Sequence, residues 1–121
     1  MSIKCPIKNT IEFMGKKWTL LILLELYRGE KKSKRYSNIK SQLSGITPKI
    51  LSARLKEMEK QKLIKKRVDA TKFPVKTYYS LTDKGNAFLK ILKNVKEWSL
   101  KYNESIEFCE DTDCILCDVK L

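Results

Sequence analysis

Four cysteines and twenty-six lysine and arginine residues are the side chains of this sequence best suited to chemistry, and there is no histidine. Without an imidazole the usual general base is missing, as are the Ser–His and Cys–His nucleophile pairs and the commonest metal ligand. No Gly-rich phosphate loop or paired-carboxylate motif is present. The sequence does not read as that of an enzyme. Cys5 stands one residue before Pro6, between Lys4 and Lys8. A helix N-terminus beside cations favours the reactive thiolate, which makes Cys5 a redox candidate; the alternative is an idle or buried thiol. Cys109, Cys114 and Cys117 form C-x4-C-x2-C near the end of the sequence. Three thiolates would hold zinc or an iron–sulfur cluster if Cys5, a carboxylate or a partner chain supplied a fourth ligand. A disulfide pinning this segment, or simple thiols, are the other readings. The expectation is that no cofactor is required.

The second kind of chemistry is anion binding. The net charge is +12, but residues 105–121 carry five acids (Glu107, Glu110, Asp111, Asp113, Asp118) against one base, Lys120. That −4 segment leaves +16 on residues 1–104. Such a basic body favours a polyanion: nucleic acid, or less readily an anionic membrane surface. A merely solvated lysine-rich surface is the alternative. No apolar run is long enough to cross a bilayer, and the first residues lack an apolar signal region. No membrane partner and a cytoplasmic location are therefore expected.

These groups must be positioned by a single small domain, the size class of 121 residues. Periodicity predicts a helix over Pro6–Met14 and a second, apolar over most of its surface, from about Trp18 to Tyr27. A charged loop through Lys31–Lys34 leads to a short helix Tyr36–Leu43, with Ser37 a candidate cap. After the tight turn Ser44-Gly45-Ile46, Thr47 caps a helix opened by Pro48 and running to about Gln61. Ile64–Asp69 and Thr77–Leu81 read as strands around a basic hairpin tip, Ala70–Lys76. Thr82 caps a last long helix. Two helices around a Gly-containing turn, followed by a β-hairpin, make a winged helix-turn-helix: mainly α with a small β-hairpin. Residues 1–104 are read as the domain and residues 105–121 as an acidic, Cys-containing tail.

On the helix opened by Pro48, Leu51, Leu55 and Met58 share one face at about 100° per residue. Lys49, Ala53, Lys56 and Lys60 lie opposite, with Ser52 on the flank. Small side chains permit close approach to base edges, while Lys49 and Lys56 reach phosphates or guanine acceptors. Taken alone, this is also the pattern of an ordinary amphipathic helix. The short preceding helix, the cap Thr47, the hairpin cations Lys72 and Lys76 and the basic strand Lys65-Lys66-Arg67 contribute to the same surface, with Arg35 assisting from the opposite side of the recognition helix. Together they point to double-stranded DNA.

In order, these residues resemble the HxlR family of winged-helix transcription regulators, related in fold to MarR-type proteins. Cys5-Pro6-Ile7 is similar to the family's opening Cys-Pro-hydrophobic element, and Met14-Gly15-Lys16-Lys17-Trp18-Thr19 to its Gly-Gly-Lys-Trp-Thr signature. Arg35-Tyr36 resembles an Arg-Phe pair, and Gly45-Ile46-Thr47-Pro48-Lys49-Ile50-Leu51-Ser52 the Gly-Ile-Ser-x-Lys-x-Leu-Ser lead-in to the recognition helix. Leu55–Glu59, Leu63-Ile64 and Tyr79-Ser80-Leu81-Thr82 continue the match. Lys16 replaces the second Gly, Lys62 replaces the Gly that usually follows the recognition helix, Tyr78 stands where Glu is frequent, and only Pro74 remains of a paired-proline wing. The resemblance implies a homodimer built from the terminal helices on a pseudo-palindromic operator, and a redox role for Cys5 in some members. It is consistent with two apolar strips: Ile7, Ile11 and Met14 on the first helix; Phe88, Ile91, Val95, Trp98 and Tyr102 on the last. The expected function is a sequence-specific transcription regulator. The alternatives are a winged-helix module that docks on acidic proteins, and a redox or metal sensor centred on the tail cysteines.

Overall fold

The computed structural model describes residues 5–103, 113–117 and 121. Helix α1 (Pro6–Met14) opens on Pro6 after Cys5 and closes at Gly15. Helix α2 (Thr19–Tyr27) is apolar around most of its circumference, and Ile22, Leu23 and Leu26 are buried at the centre of the core. Trp18 is not the first residue of α2 but its N-cap, held at φ 85°. Helix α3 (Tyr36–Gln42) contributes Ile39, and Leu43 follows it into the core. Its N-cap is Arg35, with no side-chain capping bond, so Ser37 does not perform the capping role expected of it.

The chain then turns through Gly45, whose φ of +85° is costly for any residue with a Cβ. Helix α4 (Pro48–Lys60) follows as expected: Thr47 Oγ1 accepts the Ile50 N–H at 3.2 Å, Pro48 opens the first turn, and Leu51, Leu55 and Met58 are buried. Strands β2 (Ile64–Asp69) and β3 (Lys76–Leu81) form the antiparallel wing, in register from Ile64 opposite Leu81 to Asp69 opposite Lys76. A further strand, β1 (Ser33–Arg35), pairs with the other edge of β3, so that the order is β1-β3-β2. The segment expected as a charged loop thus makes a three-stranded sheet of the hairpin.

Helix α5 (Asp83–Tyr102) is capped by Thr82, which accepts the Gly85 N–H at 3.2 Å. Its first turn lies directly on the chain leaving α4: a Cβ on Gly85 would fall 2.2 Å from the Leu63 carbonyl oxygen. Met14, expected on an outward dimer strip, is instead buried in the chain's own core, because α1 packs its C-terminal end on α2. Phe88 is half-buried and packs against the same core. Ile7, Ile11, Ile91, Val95, Trp98 and Tyr102 are exposed. No helix is long and apolar enough to cross a membrane among the described residues.

Candidate nucleic-acid interface

The buried stripe of α4 fixes what the helix shows outward. With Leu51, Leu55 and Met58 inside, Lys49, Ser52 and Lys56 are exposed and Ala53 is half-buried beside them. Two braces hold this helix from outside the core. Arg54 donates through Nε to the Lys17 carbonyl at 3.1 Å, and Lys16 pairs with Glu57 at 3.3 Å. The Gly15-Lys16-Lys17-Trp18-Thr19 segment therefore clamps one flank of α4 and leaves its basic face open. At the front, the Tyr36 hydroxyl lies 3.1 Å from the Pro48 carbonyl oxygen and 3.3 Å from Ser52 Oγ. This contact joins α3 to the first turns of α4, and Arg35 immediately precedes it.

Thr47, Lys49 and Ser52 are thus gathered around the start of α4, to which Tyr36, the neighbour of Arg35, is bonded. Thr47 acts as the cap, and Lys56 lies two turns further along the same helix. Lys72 and Lys76 belong to a different part of the surface. Lys76 pairs with Asp69 at the far end of the hairpin, five residues or roughly 17 Å from Ile64, and Lys72 lies in the tip beyond it. Asp69 shapes that tip by accepting the backbone N–H of Thr71 at 3.0 Å and its hydroxyl. These bonds, followed by the Lys72 and Arg67 charges, hold its carboxyl below the usual carboxylate range. Arg67, Tyr78 and Arg35 are directly opposite one another across the three strands, and the Arg67 guanidinium lies 4.6 Å from the centre of the Tyr78 ring. Lys65, Arg67 and Arg35 therefore share the face of the sheet turned from the core residues Ile64 and Tyr79.

Sequence reasoning missed two features. Phe73 stands 99% exposed at the hairpin tip, with Val75 also exposed; an aromatic beside Pro74 in a basic loop was the available signal. Beneath the sheet, Glu25 and Arg28 are buried at 5% and 3% exposure. Arg28 donates to Glu25 Oε2 from Nε at 3.1 Å and from Nη2 at 2.6 Å. Lys34 of β1 reaches Glu25 Oε1 at 3.3 Å and also the Glu25 carbonyl. Burial pulls the Lys34 ammonium below its ordinary value, against the attraction of Glu25. The i, i+3 spacing of Glu25 and Arg28 was visible in the sequence; their burial was not.

Cys5 is exposed at the N-cap of α1. Cys114 and Cys117 are free thiols of intermediate exposure, and Cys109 lies outside the described residues. Among the described residues no three Cys, Asp or Glu side chains group closely enough to hold a metal ion.

A family model for the HxlR-like helix-turn-helix matches residues 13–107. The chain is 35% identical to the helix-turn-helix transcriptional regulator YvaP of Bacillus subtilis, over 81% of its own length and 88% of the relative's. A solved MarR-family regulator from Porphyromonas gingivalis W83 superposes with a TM-score of 0.74 at 29% identity, covering 84% of this chain and 96% of that one. The reduced form of the transcriptional regulator YodB of B. subtilis superposes with a TM-score of 0.70 at 29% identity, covering 92% and 100%. YodB has also been solved after diamide treatment.

Proposed function

Since the chain belongs to the HxlR-like helix-turn-helix family of transcriptional regulators, we propose that it acts as a homodimer on pseudo-palindromic operator DNA. It is a DNA-binding winged-helix protein and not an enzyme. The finer reading is that α4 enters the major groove and presents Lys49, Ser52, Ala53 and Lys56, with Thr47 and Arg35 at its leading end. The wing, through Lys72 and Lys76, lies along the backbone or the adjacent minor groove. The observation that carries this reading is the exposure of the basic face of α4 on a helix braced along one flank at Arg54 and Glu57. Residues 1–104 would form the DNA-binding and dimerising unit and residues 105–121 an appended tail.

The dimer would be held by α1 and α5. Ile7, Ile11, Ile91, Val95, Trp98 and Tyr102 are each at least half exposed in the single chain, a concentration of apolar surface that a second copy would cover. Selection of bound duplexes from a random-sequence pool, followed by sedimentation of the complex, tests the arrangement. Two inverted half-sites about one helical turn, roughly 34 Å, apart and two protomers per duplex are expected. A single half-site occupied by one protomer would contradict it.

A redox response through Cys5 is supported by its exposure at the start of α1 and by the reduced and diamide-treated forms of YodB. Diamide should lower operator binding by the intact protein, and Cys5→Ser should remove that response. A Cys5→Ser protein that still responds would move the role to the tail thiols. No cofactor enters this reading.

A further inference from the structure

Residues 113–117 and 121 make polar contacts with three separate elements of the winged domain. At α5, the Lys93 ammonium lies 3.7 Å from Asp113 Oδ2. At the C-terminal end of α2, the Tyr27 hydroxyl donates to Asp113 Oδ1 at 3.1 Å and the Gly29 N–H donates to the Ile115 carbonyl at 2.7 Å. There too, Arg28 Nη1 points at Cys117 Sγ at 3.6 Å. At the turn between α3 and α4, the Leu121 N–H donates to the Gln42 carbonyl at 3.0 Å, and the Ser44 N–H donates to the Leu121 carbonyl at 2.9 Å. The last pair satisfies a carbonyl at the end of α3 and an amide three residues before the cap of α4, groups that no helix can pair internally. Leu121 also packs against the core.

Resting on the DNA-binding reading above, we infer that these tail residues are a positioning element for the reading head. They seat the α3–α4 turn that sets the angle of α4, and they tie it through α2 to α5, the helix of the proposed dimer contact. A dimer fixes the spacing of its two recognition helices only if each is rigidly joined to the helix at the interface. In this chain the described tail residues supply anchors for such a joint, at Lys93, at the end of α2 and at Ser44. The acidic tail is then a working part of a basic DNA-binding protein, held on it at Asp113 by Lys93 and Tyr27.

The test compares the intact protein with a chain shortened after Cys117, which loses both turn bonds but keeps Asp113, Ile115 and Cys117. Amide exchange at Ser44 and affinity for a duplex selected by the intact protein are measured, with sedimentation as the control for dimerisation. Exchange at Ser44 should quicken and affinity should fall about tenfold, the change that two net hydrogen bonds carry, with the dimer unchanged. Unchanged protection of Ser44, or quicker exchange with unchanged affinity, would overturn the inference. If the intact protein selects no duplex, the DNA-binding reading fails, and exchange at Ser44 alone decides whether the tail seats the turn. Should the shortened chain not fold, Tyr27→Phe with Asp113→Asn in the full chain releases the other end. Quicker exchange at both Gly29 and Ser44 then supports the joint, and quicker exchange at Gly29 alone refutes it.

Discussion

Lys62 closes α4 at φ +62°, in the left-handed region that a Cβ disfavours. A residue there costs about 1 kcal/mol relative to glycine. Lys62→Gly should therefore raise stability by about that amount, read as a higher urea midpoint at unchanged slope; an equal or lower midpoint would refute the strain. The departure from the family's glycine was plain in the sequence, but only the backbone shows that the conformation was kept when the residue changed. Glu25 presents the opposite case. It pairs with both Arg28 and Lys34 in a buried cluster, and Glu25→Gln removes the carboxylate charge that the two cations share. A loss of roughly 1–3 kcal/mol is expected, because buried donors exchange a charged acceptor for a neutral one. A loss below about 1 kcal/mol would mean that water reaches the cluster. Nothing in the local pattern of Glu25 and Arg28 distinguished them from charges ending a surface helix, since their burial is a property of how β1 and the tail cover them.

Among the elements, the helices that carry a stop or start signal were legible. Thr47-Pro48 and Thr82 capped the helices they were expected to cap, and the faces of α4 followed from its apolar spacing. Strand β1 was not legible, because Ser33, Lys34 and Arg35 have no alternation of their own and are ordered by the free edge of β3. The tail contacts were invisible too: half of them run through backbone groups, which no side-chain pattern records, and the rest join side chains far apart in the sequence. Their anchor makes a prediction. The Ile115 amide above all, with the Tyr27 hydroxyl and Lys93, holds the Asp113 carboxyl below its ordinary value against the opposing effect of desolvation. A lowered folded-state value means that the ionised form stabilises docking above the ordinary carboxylate value, about 3.9, and that this is lost as pH falls through the lower one. Protection of the Gly29 amide should fall across that acid window in the intact protein, and Asp113→Asn should flatten the dependence within the same window. A Gly29 profile identical in the two proteins would remove Asp113 as the anchor.

For the whole molecule, the basic body, the winged fold and the two terminal helices all support the proposed dimer that reads DNA with paired α4 helices. The fold class was legible because its elements occur in a fixed order with strong punctuation. The interface was only partly legible: the sequence gives the outward face of α4, while the division of Met14 and Phe88 from the exposed strip depends on packing. Val95→Glu, in the middle of that strip, should give monomers by sedimentation with the winged domain still folded, and tight operator binding should be lost. Persistent dimers would move the contact elsewhere. The most direct measurement of the central claim is a titration of a selected duplex at several salt concentrations, for the intact protein and for Lys49→Ala/Lys56→Ala. Phosphate neutralisation predicts a linear fall of log affinity with log salt, weaker binding by the variant at every salt, and a shallower slope if either lysine meets a phosphate. A variant that binds as tightly as the intact protein near physiological salt would contradict the placement of α4 against DNA.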